Sequence, residues 1–407
     1  MQRKKLVIAL PTSTFLPAIG GVEIGLHNIA SGLLAQGHTP IVIAPATNVR
    51  QIQETGRRLA YKLITMPPKT ISFTQNFPET ATLLLASFFR ILQWKYRFDI
   101  WHGTVGFPIG VALARFAEKD VPHIIRCAGE DIQVNHDLGY GMRLDPRIDQ
   151  IIRKWLPRAD ALSAITKSMA REYDDIKIIS EKVWNIPNGV DLPRFQRPFD
   201  TVSIRKEFGI NNDAFLYLSV GRHHPKKGFS DLISAAALLR KKASRPFRLA
   251  IAGKHTETLK NQVAKQGLTE HVHLLGEISD QDAEGSPFEA PSNKLVGLYK
   301  SADAFVFPSH VESFGIAIIE AMAASLPIIT TDGPGCRDVI GQGKYGIMVP
   351  VKDHEGLAEA MNQLLSHKDL REKYINISRE RALVFAWRSI VNQYLEAYRT
   401  IIRRKAL

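Results

Sequence analysis

Two glutamates eight residues apart, Glu312 and Glu320, sit in a largely apolar stretch, HVESFGIAIIE. A carboxylate among apolar side chains is costly unless it finds a partner. In one continuous helix the pair would stand roughly 80° apart, at about 100° per residue. The flanking pattern divides them instead. SADAFVFPS (301–309) reads as a strand ending in a Pro-Ser turn, and GIAIIEAMAAS (315–325) reads as a helix. Glu312 then lies in the loop before the helix, where Gly315 lets backbone N–H groups approach a ligand. Its alternative is to balance the helix dipole. Glu320 lies inside the helix and needs either the hydroxyls of a ribose or sugar, or a salt bridge.

A second group has phosphate chemistry. FLYLSVGRHHPKKGFSDLISAAALL reads as a strand, a loop with Arg222, Lys226, Lys227 and Gly228, then a helix. Arg offers a bidentate fork and Lys a compact charge, so cations on a strand-to-helix loop suit a diphosphate. A solvated basic loop is the plainer alternative. GxxxxGK[ST] is absent, so this is not a Walker loop. Near the start, Gly20 and Gly21 open a helix expected to run from Gly21 to Gln36. Two glycines there admit an anion or serve as an ordinary turn. They do not form GxGxxG, the usual dinucleotide fingerprint.

These loops need a frame. LVIAL (6–10), PIVIA (40–44), DIWH (99–102), HIIRC (123–127) and ALSAI (161–165) read as buried strands. So do FLYLSVG (215–221), FRLAIAG (247–253), HVHLLG (271–276), AFVFP (304–308), PIIT (327–330) and GIMVP (346–350). Helix-length stretches separate most of them. Such alternation means parallel sheets covered by helices on both faces. The Pro-rich segment NIPNGVDLPRFQRPFD (185–200) divides the strands into two sets. The expectation is an α/β chain with Rossmann-like domains over 1–193 and 194–385 and a closing helical segment over 386–407. Doubly wound domains bind ligands at the carboxyl ends of their strands, here in an interdomain cleft.

Composition limits the partners. The chain has 407 residues and 53 Lys and Arg against 40 Asp and Glu, a net charge of +13. That favours anionic partners such as phosphorylated substrates or an acidic membrane face. The basic residues are dispersed and carry no nucleic-acid-binding motif. Two cysteines, Cys127 and Cys336, indicate no disulfide framework and fit a reducing compartment. The apolar run in MQRKKLVIAL is shorter than a signal core and reads as a first strand. Ala81 to Trp94 (ATLLLASFFRILQW) is too short to span a membrane and carries Arg90, so it reads as an amphipathic or buried helix near a membrane surface.

The order of segments resembles retaining glycosyltransferases of family 4, which have the GT-B fold. The resemblance rests on GGVE (20–23), GEDI (129–132), NGVD (188–191), SVGRHHPKKG (219–228), AIAG (250–253), HLLGEIS (273–279), LYKSADAFVFPSHVESFGIAIIEAMA (298–323) and YGIMVPVKD (345–353). It implies that Arg222 and Lys227 hold a donor diphosphate and that Glu320 binds ribose hydroxyls. It places Glu312 near the transferred sugar and Phe314, Gly315 and Ile316 in a backbone loop contacting sugar and phosphate. Gly20 and Gly21 would face donor phosphate and acceptor. The segment after Ala386 resembles the family's closing helix, which crosses back onto the N-terminal domain. Many members carry a histidine near the glycine of GEDI; here Arg126, Cys127 and Ala128 stand there. His102, Glu130 and Asp131 are the acceptor-side candidates, and His102 has a satisfied cleft histidine as its alternative. The implied donor is a nucleoside-diphosphate sugar, with UDP or GDP expected, and no metal is required. Asp280-Gln281-Asp282 resembles a metal-binding DxD by composition only. The implied acceptor is a glycan or lipid-linked hydroxyl in polysaccharide, lipopolysaccharide or glycolipid assembly, handled in the cytoplasm or on the membrane's inner face. An NAD(P) oxidoreductase and a GT-B sugar-nucleotide epimerase are the competing readings.

Overall fold

A computed structural model describes residues 4–67, 71–117, 121–278, 288 and 290–406. The chain divides into two compact units. The first runs to Asn188 and takes in Phe288 and the segment from Trp387; the second holds Gly189 to Ala386, except the piece around Phe288.

The first unit is built on a seven-stranded sheet. Its strands are β1 (Val7–Pro11), β2 (Thr39–Pro45), β3 (Lys62–Met66), β4 (Ile100–Thr104), β5 (His123–Arg126), β6 (Ala161–Ala164) and β7 (Val183–Asn185). Their order is β3-β2-β1-β4-β5-β6-β7, and every pairing is parallel. The edge strands β3 and β7 go beyond the sequence expectation. β3 has one buried residue and β7 none, so neither shows the continuous apolar run that marks a central strand.

The C-terminal helix Trp387–Lys405 belongs to this unit and packs against the helix Gly21–Ala35. Ile390, Tyr394, Ala397 and Ile401 recur at three- and four-residue steps and are buried. Gly32 permits the close approach, since a Cβ there would fall 2.6 Å from the Val391 side chain.

The second unit has a six-stranded sheet: β8 (Phe215–Val220), β9 (Phe247–Ala252), β10 (Val272–Gly276), β11 (Ala304–Phe307), β12 (Ile328–Thr331) and β13 (Ile347–Val349). The order is β10-β9-β8-β11-β12-β13, again parallel. The chain winds outward from β8 through β10, then returns to lay β11 beside β8, pairing Ala304 with Tyr217. The connections after β8 and β11 leave in opposite directions, which is where a doubly wound sheet opens for ligand. These two loops carry Lys227 and Glu312.

Candidate functional site

The loop after β8 bends at Gly221 and forms a short turn, Pro225–Lys227, before the helix Phe229–Lys242. Gly228 caps that helix at φ +65°. A Cβ there would fall 2.1 Å from the Pro308 carbonyl oxygen, so glycine is what lets this loop lie against the loop after β11. The two loops are stitched together. The His310 N–H donates to the Lys226 carbonyl at 2.7 Å, and Ser309 Oγ lies 2.8 Å from the same oxygen. His310 Nε2 meets the Asp231 carboxylate at 2.6 Å. Asp231 stands in the first turn of the helix, so this pair ties the helix start to the second loop.

That stitching brings Lys227 Nζ within 2.5 Å of Glu312 Oε1. Ser309 Oγ donates to the same oxygen at 2.9 Å. Burial alone would push the Glu312 carboxyl up. The ammoniums of Lys227 and Lys226 and the two hydrogen bonds outweigh it and hold the carboxyl below the ordinary range. Arg222 leaves the same strand end, is exposed and makes no salt bridge among the described residues. An ionised carboxylate, a half-buried ammonium and an exposed guanidinium thus share one strand-end region.

Glu320 has the opposite environment. It stands in the helix Ile316–Ala323 and its Oε2 accepts from the Tyr299 hydroxyl at 2.9 Å. Burial raises its pKa to about 7, against the Tyr299 hydrogen bond and the charge of Arg194. Two carboxylates eight residues apart are therefore poised differently: one fixed as an anion, one close to neutral pH. Gly315 caps the helix at φ +96°, a conformation that suits glycine. Phe314 is buried edge-on against Phe385, with ring centroids 5.8 Å apart, so its side chain anchors the loop. Ile316 begins the helix and is half-buried.

The ends of β8 and β9 also approach closely. Gly253 has φ +135°, and a Cβ there would fall 2.1 Å from the Gly221 carbonyl oxygen. Gly253→Ala is expected to destabilise the second unit by about 1–3 kcal/mol. Denaturant unfolding should show a lower midpoint with an unchanged slope.

In the first unit, Gly20 precedes the helix Gly21–Ala35 with extended backbone. A Cβ on Gly20 would fall 2.7 Å from Glu23 Oε2. Glu23 is buried, and its Oε1 accepts from the Thr14 hydroxyl at 2.7 Å. Gly21 is exposed at the helix start. Arg126, at the end of β5, is buried and bonds the Asn188 side chain.

The acceptor-side candidates separate. Glu130 is exposed. His102 is fully buried beneath the C-terminal helix, with Nδ1 2.6 Å from the Tyr398 hydroxyl and its ring 4.7 Å from that of Tyr394. Burial and the neighbouring Arg126 push its pKa down to about 3. A neutral, enclosed imidazole braces the helix through Nδ1, and its buried Nε2 has no hydrogen-bond partner among the described residues. Asp131 is likewise interior. Burial raises its pKa, while its carboxylate accepts from the backbone N–H groups of Gly106, Gly129 and Ala128. It organises the loop after β5. His102 and Asp131 are thus interior in the ligand-free chain, while Glu130 is exposed.

Sequence reasoning also missed the supporting residues Asp231, His310, Ser309 and Tyr299. Tyr299, Ser309 and His310 lie within the segment 298–323, but nothing in its spacing shows that His310 pairs with Asp231 or Tyr299 with Glu320. Among the described residues no cluster of three or more His, Cys, Asp or Glu could hold a metal ion; Asp280, Gln281 and Asp282 lie outside those residues.

Comparison with known proteins fits this architecture. Residues 19–194 match the model of Glycosyltransferase Family 4, and residues 200–381 that of Glycosyl transferases group 1. A D-inositol 3-phosphate glycosyltransferase of Frankia alni is 32% identical over 223 residues, 54% of this chain and 53% of that one. A phosphatidyl-myo-inositol mannosyltransferase of Mycobacterium leprae is 29% identical, over 62% of each chain. The matches thus span a little over half the length of these curated relatives. The crystal structure of Anabaena HepE in complex with UDP and glucose superimposes with a TM-score of 0.73 at 18% identity, covering 97% of this chain and all of that one. Two parallel Rossmann-like sheets, this likeness of fold and the two matched segments together place the chain in glycosyltransferase family 4, with the GT-B fold.

Proposed function

We propose that the chain transfers a sugar from a nucleoside-diphosphate sugar to an acceptor hydroxyl with retention of anomeric configuration. The observation that carries this reading is the meeting of Lys227 with Glu312 at the strand ends that also present Arg222. Breaking the glycosidic bond puts negative charge on the departing diphosphate. In this reading Arg222, Lys227 and the N-terminus of the Ile316–Ala323 helix stabilise it, the largest kind of catalytic contribution in many enzymes. The departing phosphate takes the proton of the acceptor hydroxyl, and the acceptor oxygen bonds to the anomeric carbon on the same face. This route asks no histidine of the chain. Glu312 holds Lys227 in place and faces the transferred sugar, while Glu320 receives the ribose hydroxyls. No step requires a metal.

UDP or GDP is the expected donor carrier; the UDP bound to HepE supports the first. A lipid-linked or glycan acceptor, reached on an anionic membrane surface from the cytoplasm, agrees with the net charge of +13. The phosphatidylinositol-directed relative supports a lipid-linked acceptor. No helix among the described residues is long and apolar enough to cross a membrane.

A thermal-shift screen with UDP, GDP, ADP, TDP, CMP and NAD(P) tests the reading. A ligand at about a hundred times its dissociation constant adds ~2.7 kcal/mol. A shift with one nucleoside diphosphate is expected and names the base. A shift with NAD(P) alone would hand the site to an oxidoreductase.

A further inference from the structure

The helix Pro78–Tyr96 buries Ala81, Ala86, Phe89 and Leu92 and leaves Leu83, Leu84, Ile91 and Trp94 exposed, Trp94 to 82%. At 100° per residue these four exposed side chains occupy an arc of about 100°, turned away from the buried four. Phe77, the residue before the helix, and Phe73 are exposed as well. Of the twelve large hydrophobics exposed among the described residues, six fall in this one short region. Scattered exposed apolar residues need no explanation, but a concentration of this kind marks a contact surface.

The charges around it select the partner. Arg90 and Lys95 are exposed and lie on the two edges of the apolar arc, each about 20° beyond it. Arg97 is exposed at the C-terminal cap. The only acid between residues 71 and 97 is Glu79, which is held by Arg115 at 2.9 Å. An apolar stripe with tryptophan near one end and cations on both edges is the pattern of a helix lying in a bilayer interface. A protein partner would not require the stripe to be rimmed by one sign of charge.

We propose that this helix docks the chain on an anionic lipid bilayer, with Leu84, Ile91 and Trp94 below the headgroups and Arg90, Lys95 and Arg97 among them. The inference rests on the reading of a membrane-borne acceptor and names the surface that brings the chain to it.

Co-sedimentation of the full chain at physiological salt tests it. The probes are vesicles of phosphatidylcholine alone and vesicles that also contain phosphatidylglycerol. The expected result is binding to the anionic vesicles only. Leu84→Ser, Ile91→Ser and Trp94→Ser should each weaken it about tenfold. Arg90→Glu and Lys95→Glu should each weaken it at least about fivefold. All five variants should keep the nucleoside-diphosphate thermal shift and the melting temperature. Unchanged vesicle binding in the variants overturns the role of this helix. A wild-type chain that shifts with nucleotide but binds no vesicle overturns docking and leaves the transferase reading standing. A wild-type dimer that the serine variants dissociate overturns the lipid in favour of a second copy of the chain. Vesicle binding without any nucleotide shift would support docking while removing the donor reading.

Discussion

Lys227→Ala lowers sugar transfer by about two to three orders of magnitude, and Arg222→Ala by a similar factor, if each cation stabilises the departing diphosphate. Stability separates the two substitutions. Arg222 is exposed and without a salt bridge among the described residues, so its loss should stay within about 0.5 kcal/mol. Lys227 is the nearest cation to a buried carboxylate, and removing one partner of such a pair costs up to about 3–5 kcal/mol. Ser309 and Lys226 remain beside Glu312 and soften that cost. The depressed carboxyl pKa means that the pair's stabilisation is present above the unfolded value near 4.5 and is lost as pH falls through the lower folded value. Lys227→Ala should flatten this acid limb. Adding Glu312→Gln should recover stability without recovering transfer. Denaturant unfolding across pH and a donor-turnover assay check both halves. Near-normal turnover in Arg222→Ala and Lys227→Ala would sink the leaving-group role.

Arg222, Lys227 and Glu312 are visible in the sequence because each sits between a strand pattern and a helix pattern. What the sequence does not display is why residues 85 apart become neighbours. That follows from β11 returning beside β8, and from Gly228 allowing the two loops to touch. The Asp231–His310 pair is invisible for the same reason, since a lone aspartate and a lone histidine carry no spacing signal. Glu320 is legible as a carboxylate needing a partner, but that partner, Tyr299, lies on another helix 21 residues earlier. His102 is ambiguous for a related reason. A histidine at a strand end has no pattern that separates a lining residue from a core residue, and its packing against tyrosines of the C-terminal helix, some 290 residues later, is not displayed by the sequence. The short edge strands β3 and β7 escape because a half-exposed strand lacks the continuous apolar run of its neighbours.

Glu320→Gln should make the ligand-free chain more stable at pH 8 while weakening its hold on the donor. The carboxyl is raised from 4.5 to about 7 chiefly by burial, so the folded state bears the cost of an ionised group once pH exceeds that value. The corresponding stability is fully present below the unfolded pKa of 4.5 and is lost as pH rises through about 7. A shift of this size corresponds to roughly 3 kcal/mol. Glutamine keeps an acceptor for the Tyr299 hydroxyl and carries no charge, so the variant should escape the loss. Ribose hydroxyls reverse the preference, because they donate to the anion. Nucleoside-diphosphate affinity in the wild type should therefore rise with pH, by at most about tenfold per unit, level off above pH 7, and release a proton on binding below it. In Glu320→Gln the affinity should be weaker and independent of pH over this range. Titration calorimetry in two buffers of different ionisation enthalpy reads affinity and proton release together. A wild-type affinity that is flat or falls across neutral pH would remove Glu320 from the ribose site. The stability half of the prediction would survive that result, since it depends only on a buried carboxyl bonded to Tyr299. A residue whose removal stabilises the empty fold and weakens the filled one is placed for its ligand, and this pair of measurements distinguishes that case from a structural carboxylate.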